Sequence, residues 1–274
     1  MHNPLLALLL GLLLLSPAAH AELKPLWEAG LGAFATTMPS YRGANSYETY
    51  LLPLAYVVYR GKFLKSDREG VRGVFYDAPK FELNLSANVA PPVDSGSIPA
   101  REGMPNLDPS FEVGPSLQFH IHKTRQLELD LRWTTRAVFT FGFDYIGWLT
   151  YPHLNLDAPD VQGSGWNLGF AIGPTYGDRG YHRYYYDVKP QYATSTRPAY
   201  RAPAGYSGTT VYLTASKRFN GYWGVAYIRY DNLASAAFKD SPLLETDQYL
   251  AAGIGIAWVF GESKRLVEVD ESGY

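Results

Sequence analysis

The stretch YLAAGIGIAWVF at residues 249–260 alternates without a break. Leu250, Ala252, Ile254, Ile256, Trp258 and Phe260 fall on one face of an extended chain, and Tyr249, Ala251, Gly253, Gly255 and Ala257 fall on the other. A period of two is the signature of a strand. Here the large apolar residues share one face and the other is built mostly from Gly and Ala. The stretch closes on an aromatic, and its length suits a tilted membrane crossing by a strand.

The same period recurs upstream. Phe81, Leu83, Leu85, Ala87 and Val89 oppose Glu82, Asn84, Ser86 and Asn88. Phe111, Val113, Leu117, Phe119 and Ile121 oppose Ser110, Glu112, Ser116, Gln118, His120 and His122. Leu127, Leu129, Leu131 and Trp133 oppose Glu128, Asp130, Arg132 and Thr134. Alternation alone also fits a soluble barrel or sandwich. Three features favour a membrane barrel: long strands, a second face that is charged or tiny, and aromatics gathered near strand ends. The expected girdle groups are Tyr50 with Tyr59, Phe139 with Tyr145 and Trp148, and Phe219 with Tyr222 and Trp223. Closure is demanded because lipid cannot satisfy a free sheet edge. The expected fold is all-β, a transmembrane antiparallel β-barrel in outer-membrane lipid.

Segments near 26–37, 49–60, 62–76, 80–90, 109–122, 127–139, 145–156, 165–176, 181–188, 208–219, 222–231 and 248–260 make about 12 strands, with 10 as the alternative. Asn220-Gly221 is a two-residue hairpin turn. One conflict remains at twelve: the long segment 91–108 falls on the periplasmic side, where turns are usually short. No segment after residue 21 has a helical period. Trp258 and Phe260 form the expected signal for the barrel-insertion machinery. Residues 22–260 are assigned to the barrel, and 261–274 to a polar, disordered tail.

At the other end, residues 5–15 are almost all leucine, followed by Ser16-Pro17 and Ala19-His20-Ala21. This is the layout of a secretory signal peptide over residues 1–21, with cleavage after Ala21. An uncleaved anchor is the alternative. Charged residues are 18% of the chain, against about 25% in soluble domains, and aromatics are 15% with 22 tyrosines. The net charge of −2 provides no basic field for nucleic acid. With no cysteine, disulfides, thiolate metal sites and thiol nucleophiles are excluded.

An ordered set of short motifs carries a family resemblance. It includes Tyr184-Tyr185-Tyr186-Asp187-Val188, Arg197-Pro198-Ala199-Tyr200 and Ala204-Gly205-Tyr206-Ser207-Gly208. It continues through Arg229-Tyr230-Asp231-Asn232-Leu233, Ala236-Ala237-Phe238, Asp240-Ser241-Pro242-Leu243 and Gly255-Ile256-Ala257-Trp258-Val259-Phe260. Pro39-Ser40-Tyr41-Arg42-Gly43, Leu52-Pro53 and Val113-Gly114-Pro115 are similar as well. In these the chain resembles the MltA-interacting protein / OmpV family of outer-membrane proteins. The resemblance implies an outer-membrane barrel of a Gram-negative bacterium and a non-enzymatic scaffold between a lytic transglycosylase and a penicillin-binding protein, the enzymes that remodel peptidoglycan. It brings no catalytic motif. A narrow porin-like channel and a surface adhesin are the alternatives.

Chemistry-bearing patterns are sparse. His120 and His122 are a possible metal pair or a polar pair facing the lumen, and no metal or cofactor is assigned. No G-x-S-x-G elbow, H-E-x-x-H or phosphate-cradling glycine loop occurs. Glu112, Glu128, Asp130, Arg132 and Arg136 are expected to face the lumen, where they either line a pore or pair to fill it. Residues 184–187 and 197–200 flank a long loop and are either a partner site or girdle aromatics with loop-anchoring hydrogen bonds. A folded barrel is expected to resist SDS until boiled and to shift in gel mobility on boiling; a helical circular-dichroism spectrum would contradict the fold.

Overall fold

The computed structural model describes residues 22–61, 63–67 and 70–269. The expected signal segment 1–21, its cleavage position after Ala21, and residues 270–274 lie outside the described residues.

The strands are β1 (Glu22–Pro25), β2 (Trp27–Pro39), β3 (Tyr47–Arg60), β4 (Leu64–Asp67), β5 (Gly70–Ala78), β6 (Phe81–Ala90) and β7 (Ser110–Lys123). They continue as β8 (Glu128–Thr140), β9 (Tyr145–Ala158), β10 (Trp166–Gly177), β11 (Gly205–Phe219), β12 (Tyr222–Asn232), β13 (Gln248–Glu262) and β14 (Leu266–Val269). Strands β2 to β13 form a closed barrel of twelve, each next to its sequence neighbour, with β13 returning to pair β2. The ten-strand alternative is thereby excluded.

The number twelve stands, but two of its members differ from expectation. Segment 62–76 is two strands, β4 and β5, with Asp67 paired directly to Gly70; Asp and Gly are turn-forming types that break the run. Segment 181–188 is not a strand. Arg179–Tyr186 is a helix, α1, whose Asp178 cap accepts from the Tyr181 N–H at 2.9 Å. Tyrosine favours strands by propensity, but Tyr181, His182, Tyr185 and Tyr186 share one helical face. Burial of Tyr181, His182 and Tyr186 decides the conformation. These changes also remove the topological conflict. Segments 91–109, 178–204 and 233–247 now leave the same end of the barrel, while short turns such as Asn220-Gly221, both at positive φ, mark the periplasmic end.

The tail is a second correction. Strand β14 pairs antiparallel with β1, from Glu22↔Val269 to Pro25↔Leu266. The Leu26 N–H donates to the Arg265 carbonyl at 2.8 Å. Residues 261–269 are therefore held by sheet pairing and are not disordered. Two strands of four residues are too short to show a period.

Along β13 the alternation matches the register. Leu250, Ile254, Ile256, Trp258 and Phe260 are exposed outward, Ile254 at 66%, while Ala257 on the inner face is 1% exposed. The small inner residues are explained by their neighbours. A Cβ on Gly253 would strike the rings of Tyr227 and Phe34, which lie across it nearly parallel at 6.1 Å. At the closing seam, a Cβ on Gly32 would overlap the Ile256 carbonyl oxygen.

One stretch of wall is incomplete. Strand β4 pairs β3 only at Tyr59↔Ser66 and Arg60↔Lys65, and β5 pairs β6 no further than Gly73↔Leu85. Among the described residues, 47–56 of β3 and 86–90 of β6 have no strand partner on those sides. Tight closure at β2–β13 is testable. Gly32→Val is expected to lower stability by about 1–3 kcal/mol in urea titrations of the micelle-bound barrel. Gly73→Ala, whose new Cβ would meet nothing nearer than Leu85 Cβ at 3.9 Å, is expected to be near neutral.

Candidate functional site: the capped lumen

The largest apolar core lies not among the barrel strands but in the long connections at the outer end. Tyr41, Ile98, Leu107, Tyr186, Leu233 and Phe238 belong to one buried cluster. Tyr186 and Phe238 stack at 3.7 Å with their rings 9° apart. Buried polar atoms tie the loops together, as they must where water is excluded. The Tyr41 hydroxyl donates to the Leu243 carbonyl at 2.6 Å, the Tyr186 hydroxyl to the Arg42 carbonyl at 2.8 Å, and the Ser241 hydroxyl to the Tyr186 carbonyl at 2.8 Å. Arg197 donates to the Tyr192, Ala100 and Glu102 carbonyls. The Asp187 carboxylate accepts from the Ala202 N–H at 2.6 Å. Residues 187 and 197 are thus loop anchors, whereas Tyr184, Tyr185 and Tyr186 pack into or against the cap core instead of joining a lipid-facing girdle. Of the expected girdle residues, Tyr145, Trp148, Phe219 and Tyr222 are exposed. Tyr50 and Trp223 instead occupy inner-face positions, paired with Thr36 and Ala257.

His182 is a fully buried polar residue of the cap. Its Nδ1–H donates to the Pro203 carbonyl at 2.6 Å, so its Nε2 accepts from the Ser207 hydroxyl at 2.5 Å. Ser207 and His182 lie 25 residues apart, a separation no motif search would join. Both are fully buried, so the pair fastens α1 to β11 with no path for a substrate. Burial is the main cause that lowers the His182 pKa.

Below the cap the inner wall carries ion pairs. Glu112 meets Arg136 at 3.1 Å, and Arg136 also donates to the Ser86 hydroxyl. Asp130 accepts from Gln118 at 2.8 Å and binds His120 Nδ1 at 2.9 Å. Glu128 and Arg132 occupy the same inner face of β8 as Asp130 and Arg136, and both have partners. The five charges expected to face the lumen therefore sit together on β7 and β8. His122 does not join them: a bulge after His120 shifts the register and pairs His122 with the outward Leu129. The two histidines are not a same-face pair. Trp258 and Phe260 project outward at the end of β13, rings 5.5 Å apart.

Two further clusters were missed in the sequence. Near the periplasmic end, buried Glu28 binds Arg60 at 2.8 Å and also Arg218. Near the cap, fully buried Asp231 binds Arg229 through two nitrogens, Arg42 at 2.9 Å, and the Thr210 hydroxyl at 2.8 Å. Arg229 and Asp231 share a period-two face of β12, a signal that was available. Arg42 lies in a loop and carries no period. A cavity of about 440 Å³ separates cap from lumen, with Arg42, Glu112, Arg136, Tyr151, Tyr212 and Arg229 among its lining residues.

The closed sheet, its lipid-suited exterior and its capped interior define an outer-membrane β-barrel of Gram-negative bacteria. Residues 31–260 match the family model described as MltA-interacting protein MipA, and the chain belongs to that family. Among solved structures, a bacterial polysaccharide outer membrane secretin is similar at 9% identity and TM-score 0.44, covering 85% of this chain and 99% of that one. The COG4313 outer membrane channel from Pseudomonas putida F1 is similar at 12% identity and TM-score 0.41, covering 90% and 100%. The outer membrane channel DcaP of Acinetobacter baumannii is similar at 9% identity and TM-score 0.36, covering 89% and 99%. No curated protein matches the chain.

The buried His182 makes the cap pH-sensitive. A depressed folded-state pKa means that its contribution is complete above the free value of about 6.5 and is lost as pH falls through the depressed value. Amide-exchange protection of α1, corrected for intrinsic rates, is expected to fall as pH drops below about 6.5. His182→Gln is expected to flatten that dependence.

Proposed function

We propose that the protein is a non-enzymatic scaffold of the outer membrane. In this reading it holds a lytic transglycosylase and a penicillin-binding protein at the periplasmic face, where peptidoglycan is remodelled. The observation that carries the reading is the two-stranded sheet β1–β14, built from both ends of the described chain beside the periplasmic turns. Among the described residues no further strand pairs with it, so the outer edge of β14 offers backbone donors and acceptors to an added strand. The buried cap and the paired lumen charges weigh against an open channel. The family description, which names an interaction with MltA, supports a protein partner. Export by the signal over residues 1–21 and insertion through Trp258 and Phe260 belong to the same proposal.

The test is a pull-down. Tagged barrel folded in mild detergent is exposed to envelope extract, alongside a variant lacking residues 264–269. Retention of a lytic transglycosylase or a penicillin-binding protein by the full barrel, lost in the shortened one, is expected. Equal retention by both would remove the terminal sheet from the docking surface. Retention of neither enzyme by a folded barrel would end the scaffold reading.

A further inference from the structure

The cavity beneath the cap does not balance its charge. Arg42, Arg136 and Arg229 carry three guanidiniums around it. Glu112 and Asp231 are the carboxylates bonded to them. Arg136 is matched by Glu112, but Asp231 must serve both Arg229 and Arg42, so one positive charge is left over. A charge enclosed in a low-dielectric interior is costly unless it is paired.

Hydrogen bonding shows the same imbalance. The Arg42 and Arg136 Nε–H groups and the Tyr151 hydroxyl are buried with no hydrogen-bond partner. All three residues line the cavity, and all three groups can donate. The Arg136 guanidinium lies over the Tyr151 ring at 5.1 Å, which fixes both in place. Three donors and a surplus cation around one space define a site that recognises anionic oxygen.

The cavity also reaches the incomplete wall. Asn88, Val89 and Ala90, on the unpartnered length of β6, line it. Across the gap, β3 carries apolar side chains on both faces: Leu51 is 75% exposed and Leu52, on the inner face, 47%. Unpaired strand edges are tolerated at membrane depth only where they line a cavity or are covered. A volume near 440 Å³ is in the range of small-molecule pockets, about 300–1,000 Å³, and far larger than a simple inorganic anion needs.

We propose that this cavity binds an amphiphilic organic monoanion that enters from the bilayer through the gap between β3 and β6. Its anionic head meets Arg42, Arg136 and Tyr151, and its apolar part lies along Val89 and the exposed leucines of β3. The site is separate from the periplasmic surface of the scaffold reading and does not depend on it.

Laurate is the probe. The full mature barrel, reconstituted in phosphatidylcholine nanodiscs, is titrated calorimetrically with laurate, dodecanol, dodecylammonium and benzoate, and empty nanodiscs supply the background. Laurate is expected to saturate at one per barrel and to bind roughly tenfold or more tighter than each of the other three. Arg42→Gln removes the surplus charge while leaving Asp231 paired to Arg229, and is expected to weaken laurate roughly tenfold. Tyr151→Phe, which removes one donor and little volume, is expected to weaken it less. Gel mobility before and after boiling verifies that each variant is folded. Dodecanol binding as tightly as laurate would overturn the anion site, as would unchanged affinity in both folded variants. Benzoate binding as tightly as laurate would identify a small soluble acid and overturn entry from the bilayer.

Discussion

Hydrocarbon offers no partner to a backbone N–H or C=O, and almost every feature of this barrel follows from that constraint. A sheet in lipid has to close, and here it closes through the pairing of β2 with β13. Close pairing there requires Gly30 and Gly32, because any Cβ at either position would run into the facing strand's carbonyl oxygens. Gly253 and Gly255 of β13 have a different cause. They leave room for Phe34 and Tyr227 to lie across the inner wall. Among the described residues, backbone pairing stops along a stretch between β3 and β6, and there the internal cavity meets the wall.

The arrangement inverts that of a soluble protein. Large apolar side chains face outward along the strands, and the inner faces hold buried carboxylates and hydroxyls such as Glu28, Glu82, Asp130 and Ser116. Each inward charge then needs a partner, which explains the pairs Glu28–Arg60, Glu112–Arg136 and Asp231–Arg229. The apolar core is displaced into the outer loops, where Phe238, Ile98, Leu233 and Leu243 are fully buried. Cap and wall are joined by polar contacts. Arg42 leaves its loop to bind Asp231 of β12, and its own carbonyl receives the Tyr186 hydroxyl of α1.

The two ends of the molecule are built differently. The outer end is a packed cap whose loops are tied by internal hydrogen bonds. The periplasmic end carries short turns and a small two-stranded terminal sheet. The chain's membership of the MltA-interacting protein family rests on residues 31–260, which include both ends of the barrel wall.

Much of this was legible in the chain before folding. Unbroken alternation in residues 249–260 assigned the faces of β13, because a strand has only two faces and lipid requires one of them to be apolar throughout. The same reasoning placed Glu112, Asp130 and Arg136 inside. Asn220-Gly221 announced its own turn by supplying two residues that tolerate positive φ. Contacts between distant segments were not legible. Residues 181–188 are strand-like by composition, yet a capping aspartate and burial beneath Phe238 make 181–186 helical. Strands β1 and β14 are each too short for a pattern and exist only because they meet. His182 with Ser207, and Arg42 with Asp231, join residues 25 and 189 positions apart. Local sequence sets which face a residue takes; only closure of the barrel sets which residues from different strands and loops must share an interior and neutralise one another.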